Sequence, residues 1–155
     1  LFEGAEEGMG AQLQQRLQGV FAANGLDAGA SLLVLPHCPR QRYLQINRAC
    51  DLMIDSLPWS GGNTSLDAIS VGLPVVTCPG AFMRGRQSAA MLRILGMEDC
   101  IAASREDLLR LALELAQDPG ARGAIAERMR QGRAALFEDG RPLEQLARAV
   151  AERLR

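Results

Sequence analysis

The sequence predicts an α/β fold, a Rossmann-like parallel sheet with helices on both faces. Short apolar runs of strand length alternate with amphipathic stretches of helix length, the links between them are short, and the strand runs are rich in apolar residues. With 155 residues, 48% of them hydrophobic and 23% charged, the chain can bury a real core, and no linker or repeat divides it. A single domain over residues 1–155 is expected, residues 141–155 forming a closing C-terminal helix.

In residues 10–24, Leu13, Leu17, Val20 and Phe21 recur at helical spacing, and Asn24-Gly25 supplies a stop. "SLLVLP" (31–36) reads as a buried strand, and Pro39 suits the first turn of a helix in "PRQRYLQINRAC". "DLMIDSLP" gives a strand ending near Asp55, "TSLDAISVG" a two-turn helix closed by Gly72, and "LPVVTCPG" the next strand. Residues 83–96 are helical in pattern, and "DCIAAS" is a short strand. Ser104 and Asp107 then open a further helix in the manner of a capping box. Helices over residues 121–135 and 143–154 close the chain, with turn chemistry at Asp139-Gly140 between them.

Composition removes several functions. The net charge is −1 and the seventeen basic residues, every one an arginine, are interspersed with acids, so no nucleic-acid partner is expected. No apolar run reaches the roughly 18 residues of a membrane span and the start resembles no signal peptide, so the protein is expected to be cytoplasmic. The chain begins without Met, and "LFEG" reads as a strand end and its turn, so a fragment of a longer protein is expected. Cys38, Cys50, Cys78 and Cys100 form no C-x-x-C and read as buried reduced thiols. His37 beside Cys38 lacks further ligands at zinc-like spacing, so no metal is expected.

Ligands of open parallel sheets bind outside the carboxyl ends of the strands, which brings forward the loops 36–40, 56–64 and 78–86. In "SGGNTSLD", Gly61 and Gly62 allow positive φ and close approach of a ligand, and the helix start behind them offers unpaired N–H groups and a positive dipole end. Asn63, Thr64 and Ser65 add donors, and Asp67 is an acceptor suited to a ribose hydroxyl. A phosphate fits such a loop. So does a plainer reading, in which Thr64 is an N-cap and Asp67 returns to its backbone N–H. Arg40 and Arg86 follow strand ends on this edge and can clamp a pyrophosphate. Tyr43 can stack on a base or sit in the core, and Trp59 can line a pocket or cap the core. No G-x-G-x-x-G or Walker loop occurs, the single histidine excludes a credible Ser-His-Asp triad, and no general base stands out, Asp55 reading as a strand end.

"LPWSGGNTSLDAISVGLPVVTCPG" and "MRGRQSAAMLRILGMEDCIA" together resemble the C-terminal catalytic half of the O-linked N-acetylglucosamine transferase family, with its bacterial relatives and the SPINDLY proteins. The upstream "LPHCPRQRYLQINRACDLMIDSLP" and the closing "ALFEDGRPLEQL" extend the resemblance over nearly the full chain. It implies the donor-binding, C-terminal Rossmann-like domain of a GT-B glycosyltransferase. Gly61, Gly62, Asn63, Thr64 and Arg86 would hold the donor diphosphate, while Asp67, Arg40 and Tyr43 would serve the ribose and base. Asn63 departs from the family's first threonine, Arg40 stands for a lysine and Tyr43 for a histidine. The first strand and the N-terminal domain with the proposed catalytic histidine would lie upstream, so no catalytic residue is expected here.

The implied reaction is an inverting, metal-independent transfer of N-acetylglucosamine from UDP-N-acetylglucosamine to Ser or Thr of a protein acceptor, with no other cofactor. Tetratricopeptide repeats are expected upstream, and the chain alone is expected to be inactive. The alternatives are a GDP-fucose donor, a non-catalytic interaction domain in which the loop is only a helix cap, and, more weakly, a sugar-nucleotide epimerase.

Overall fold

A computed structural model describes residues 9–154. The chain divides into two compact units between Tyr43 and Leu44.

The first unit carries α1 (Met9–Ala23) and α2 (Ala28–Ser31), which lie against each other. Gly25, at φ +69°, supplies the left-handed residue that ends α1, as its Asn-Gly stop foretold. The strand expected at residues 31–36 is not formed among the described residues. Asp27 caps α2 by accepting the Gly29 N–H at 2.8 Å, which draws Ser31 into a helical turn, and only Leu35 keeps a single bridge position. Leu33 is 70% exposed, so the apolar run is not a buried one. α3 (Arg40–Ala49) begins in this unit.

The second unit is built on β1 (Met53–Ile54) and β2 (Val75–Val76), which pair in parallel with Met53 opposite Val75 and Ile54 opposite Val76. On the other edge of β2, Thr77 bridges Ile101 in parallel: its N–H donates to the Cys100 carbonyl and its carbonyl accepts from Ala102. The strand expected in "DCIAAS" is thus one bridge long, because a 3-10 turn over Glu98–Cys100 takes up the residues before it. Both β2 residues are fully buried, as befits the middle of a parallel sheet.

α4 (Asn63–Val71) ends at Gly72, whose φ of +78° lets the Gly72 and Leu73 N–H groups turn back onto the last carbonyls of the helix. The helix expected over residues 83–96 is broken in two. A 3-10 turn (Met83–Gly85) precedes α5 (Gln87–Ile94), with Gly85 and Arg86 donating three residues back rather than four. α6 (Arg105–Gln117) is capped by Ser104, and α7 (Pro119–Gly132) by Asp118 with Pro119 in its first turn. α8 (Ala134–Phe137) and α9 (Arg141–Arg153) follow. The core joins Ile69 of α4, Val75 and Val76, Leu92 of α5, Met97, Leu108 and Leu115 of α6, and Met129 of α7. Of the four free thiols, Cys78 and Cys100 are buried as expected. Cys50 is exposed and Cys38 half-buried, since neither lies on the sheet. Among the described residues no helix is long and apolar enough to cross a membrane.

Candidate functional site

Both strands of the second unit deliver their carboxyl ends to the same edge, and the loops that leave them interlock there. The Ser60 N–H donates to the Arg84 carbonyl at 2.8 Å, and the Gly80 N–H to the Gly85 carbonyl at 2.8 Å. Two helices start from this edge. α4 begins at Asn63 with Gly62 as its N-cap, α5 begins at Gln87 with Arg86 as its N-cap, and neither cap supplies a side-chain hydrogen bond.

This corrects two expectations. Thr64 is not the N-cap but the second helical residue, so Asp67 does not sit three residues past a cap. The Thr64–Asp67 capping box is not formed, because the glycine pair lets the helix begin two residues earlier. Nor do the glycines adopt positive φ; Gly62 sits at φ −95°, ψ −96°. They are needed for room instead. A Cβ at Gly61 would meet the Ser65 hydroxyl and lie 2.7 Å from Thr64 Oγ1, and one at Gly62 would lie 2.8 Å from Gln87 Oε1.

The two helix starts meet side by side, the hydroxyls of Ser65 and Ser88 being 2.7 Å apart and both buried. Among the described residues, the backbone N–H groups of Asn63, Thr64, Ser65, Gln87 and Ala89 find no acceptor, so one spot receives the positive ends of two helix dipoles. Arg86, exposed, donates from Nε to the Gly80 carbonyl at 2.7 Å, which directs its guanidinium from the same loop.

Asp55, read as a strand end, is the residue the sequence undervalued. It is 3% exposed and accepts four hydrogen bonds: from the Ser56 N–H at 3.0 Å and the Gly61 N–H at 2.7 Å on Oδ1, and from the Ser60 and Thr77 hydroxyls, each at 2.7 Å, on Oδ2. Ser60 Oγ in turn accepts the Ser88 N–H at 2.9 Å, and the Ser88 hydroxyl donates to the Gly61 carbonyl at 3.2 Å. An aspartate directly after a strand and ahead of a serine-glycine loop was the available signal.

Of the expected site residues, Gly61, Gly62, Asn63, Thr64, Asp67 and Arg86 belong to this unit. Asn63 and Thr64 are exposed at the helix start and Asp67 is half-buried one turn on. Arg40 and Tyr43 open α3 in the first unit. Trp59 does not cap the core. It is 64% exposed, and the Arg84 guanidinium lies over its ring, 5.8 Å from the centroid, and over Phe82 at 4.7 Å.

The sequence profile of glycosyl transferase family 41 matches residues 10–140. The chain belongs to glycosyl transferase family 41. It is 33% identical over 101 residues to a UDP-N-acetylglucosamine--peptide N-acetylglucosaminyltransferase of Giardia intestinalis, covering 65% of this chain and 7% of the relative. Similarity extends to a SPINDLY protein of Solanum lycopersicum, described as a probable transferase of the same kind (26% identity; 56% of this chain, 9% of the relative). It also reaches a UDP-glucose:protein N-beta-glucosyltransferase of Actinobacillus pleuropneumoniae (29%; 58% of this chain, 15% of the relative). Among solved structures, a mutant of the Thermobaculum terrenum O-GlcNAc transferase superposes with a TM-score of 0.80 at 31% identity, covering 94% of this chain and 27% of that one. The family 41 chain is therefore α/β and matches part of the GT-B fold of that enzyme, and it spans a small part of the length of each relative.

Proposed function

We propose that this chain is the donor-binding part of a glycosyltransferase that moves a sugar from a nucleotide diphosphate to a protein hydroxyl. The observation that carries the reading is the pair of helix starts. With Gly62 rather than Thr64 at the N-cap, the open N–H groups of α4 and α5 converge across the Ser65–Ser88 contact, and a diphosphate is the ligand such a place suits. Within the second unit, Gly61, Gly62, Asn63, Thr64 and Arg86 hold the diphosphate, while Asp67 serves the ribose.

In this reading the acceptor hydroxyl attacks the anomeric carbon, the bond to the nucleoside diphosphate breaks, and the negative charge left on the departing group is met by helix N–H groups and Arg86. That neutralisation leaves no task for a metal ion. The chain supplies donor binding and leaving-group stabilisation; the base that removes the acceptor proton lies elsewhere in the parent protein, so this chain alone does not turn over. UDP-N-acetylglucosamine is the donor we favour, in keeping with the Giardia relative and the Thermobaculum structure. The Actinobacillus relative, named for a UDP-glucose donor, supports UDP more firmly than it supports one sugar.

Calorimetric titration with UDP and with GDP, repeated on Asp67→Ala, tests this. UDP binding that is lost in the variant supports the reading, and a preference for GDP replaces the donor with a GDP-sugar such as GDP-fucose. Binding of neither overturns it and leaves a non-catalytic interaction domain.

A further inference from the structure

We propose that Asp55 is a positioning residue for the donor site, its buried carboxylate fixing the glycine loop and, through Ser60 and Ser88, setting the start of α5 against the start of α4. The inference rests on the functional reading above for its consequence, though not for its geometry.

All four partners of Asp55 are donors, two N–H and two O–H, and no cation pairs with it among the described residues. A carboxylate presents acceptors on both oxygens, so an apolar side chain of the same size would leave its four donors unmet, and an amide would force the Ser60 and Thr77 hydroxyls to turn round and accept. Its bonds run in two directions. Thr77, fully buried at the end of β2, and the Asp55 backbone N–H, bonded to the Val76 carbonyl at 2.9 Å, moor the residue to the sheet. Gly61 and Ser60 carry that anchorage into the loop.

The hydroxyl protons can each be placed once. Ser60 gives its proton to Asp55 Oδ2, Ser88 gives its proton to the Gly61 carbonyl, and Ser65 donates to Ser88. Ser60 Oγ is thereby left as an acceptor, and it takes the Ser88 N–H of the first turn of α5. The two helix starts are thus held at a set separation by a chain of bonds that ends on one carboxylate. A diphosphate bridging those starts depends on that separation, since hydrogen bonds weaken steeply with misalignment.

The test compares wild type with Asp55→Asn, a change of one atom that turns an acceptor oxygen into a donor. Amide hydrogen exchange reads the geometry without any ligand. Protection of the Gly61 and Ser88 amides is expected to fall by about tenfold or more, with the Val76 and Leu92 amides less affected. Calorimetry at a temperature where both proteins are folded reads the consequence, an expected rise in the Kd for UDP of about tenfold. Ser104→Ala, outside this network, serves as control, lowering the melting temperature while leaving the Kd within about twofold. If Asp55→Asn does not fold, Ser60→Ala carries the test, with Ser88 protection lost, Gly61 protection kept and the Kd raised.

Unchanged protection at Gly61 and Ser88 overturns the positioning claim. Lost protection with an unchanged Kd reduces Asp55 to a structural residue and overturns it for the donor site. If wild type binds neither UDP nor GDP, the functional reading fails, and the exchange result still decides whether Asp55 positions the loop.

Discussion

Gly85 backs directly onto Pro58: a Cβ built at position 85 lies 2.7 Å from the Pro58 carbonyl oxygen and 3.3 Å from the Gly80 Cα. Both obstacles are backbone, and both belong to the interlocked loops at the carboxyl ends of the strands, so neither can swing aside as a side-chain tip would. Gly85→Ala is expected to destabilise the protein by about 1–3 kcal/mol through overpacking. Gly123, inside α7 with nothing within 4 Å of its would-be Cβ, is the counterpart. Gly123→Ala is expected to stabilise by about 0.5–1 kcal/mol, since alanine loses less backbone freedom in a helix. Urea unfolding of the two variants should move the midpoint in opposite directions.

How much of this was legible beforehand depended on the range of the interaction. α1 and α4 were readable because their stop residues are local, and Ser104 could be named as the cap of α6 because its partner Asp107 lies three residues away. The apolar run at 31–36 misled because a short stretch of that kind carries no periodicity to separate strand from turn, and the Asp27 cap decided it. The network around Asp55 was out of reach. Ser60 and Ser88 are 28 residues apart, Asp55 and Thr77 are 22 apart, and each looks in the sequence like any polar loop residue. Only the parallel register of β1 on β2 brings them together.

Cys100 and Cys50 should differ sharply in reactivity. Burial in the core, with the neighbouring charge of Asp99 as a lesser cause, pushes the Cys100 thiol up to about 12 from its ordinary 9.0, so it stays protonated in the folded state. Cys50 is exposed. Alkylation at pH 8 is expected to modify Cys50 first and Cys100 only as the protein unfolds, which peptide mass mapping would resolve. The sign of the pH effect follows from the same shift. The preference of the folded state for the protonated thiol is fully present below pH 9 and is lost as pH rises toward 12, so Cys100→Ala should flatten the alkaline decline in stability.

Arg128 of α7 reaches back to the 3-10 turn before Ile101, donating from Nη1 to Asp99 at 2.6 Å and from Nη2 to the Gly96 carbonyl at 3.2 Å. The hydrogen bonds from Arg128, opposed by partial burial and aided by its charge, hold the Asp99 carboxyl below its ordinary 3.8. A depressed carboxyl contributes above its unfolded pKa and ceases to contribute as pH falls through the folded value. Both side chains are about half exposed, so the pair is worth at most about 1 kcal/mol. Asp99→Asn is expected to lower stability by that amount or less at pH 7, and the difference from wild type should shrink as pH falls below 3.8, as denaturant melts over that range would show.

Ser104 and Thr64 each precede an acidic residue by three positions, yet only the first is a cap. Ser104 Oγ accepts the Asp107 N–H at 3.1 Å while Asp107 Oδ2 accepts the Ala103 N–H at 2.8 Å, whereas Thr64 lies inside α4 with its hydroxyl turned over Gly61. Ser104→Ala is therefore expected to destabilise by about 1 kcal/mol, and Thr64→Ala by less than about 0.5 kcal/mol. Under the proposed function the order reverses for ligand: Thr64→Ala weakens UDP binding and Ser104→Ala does not. Equal stability losses in thermal melts of the two variants would return Thr64 to the role of a helix cap, and unaltered UDP affinity in Thr64→Ala would remove it from the diphosphate site.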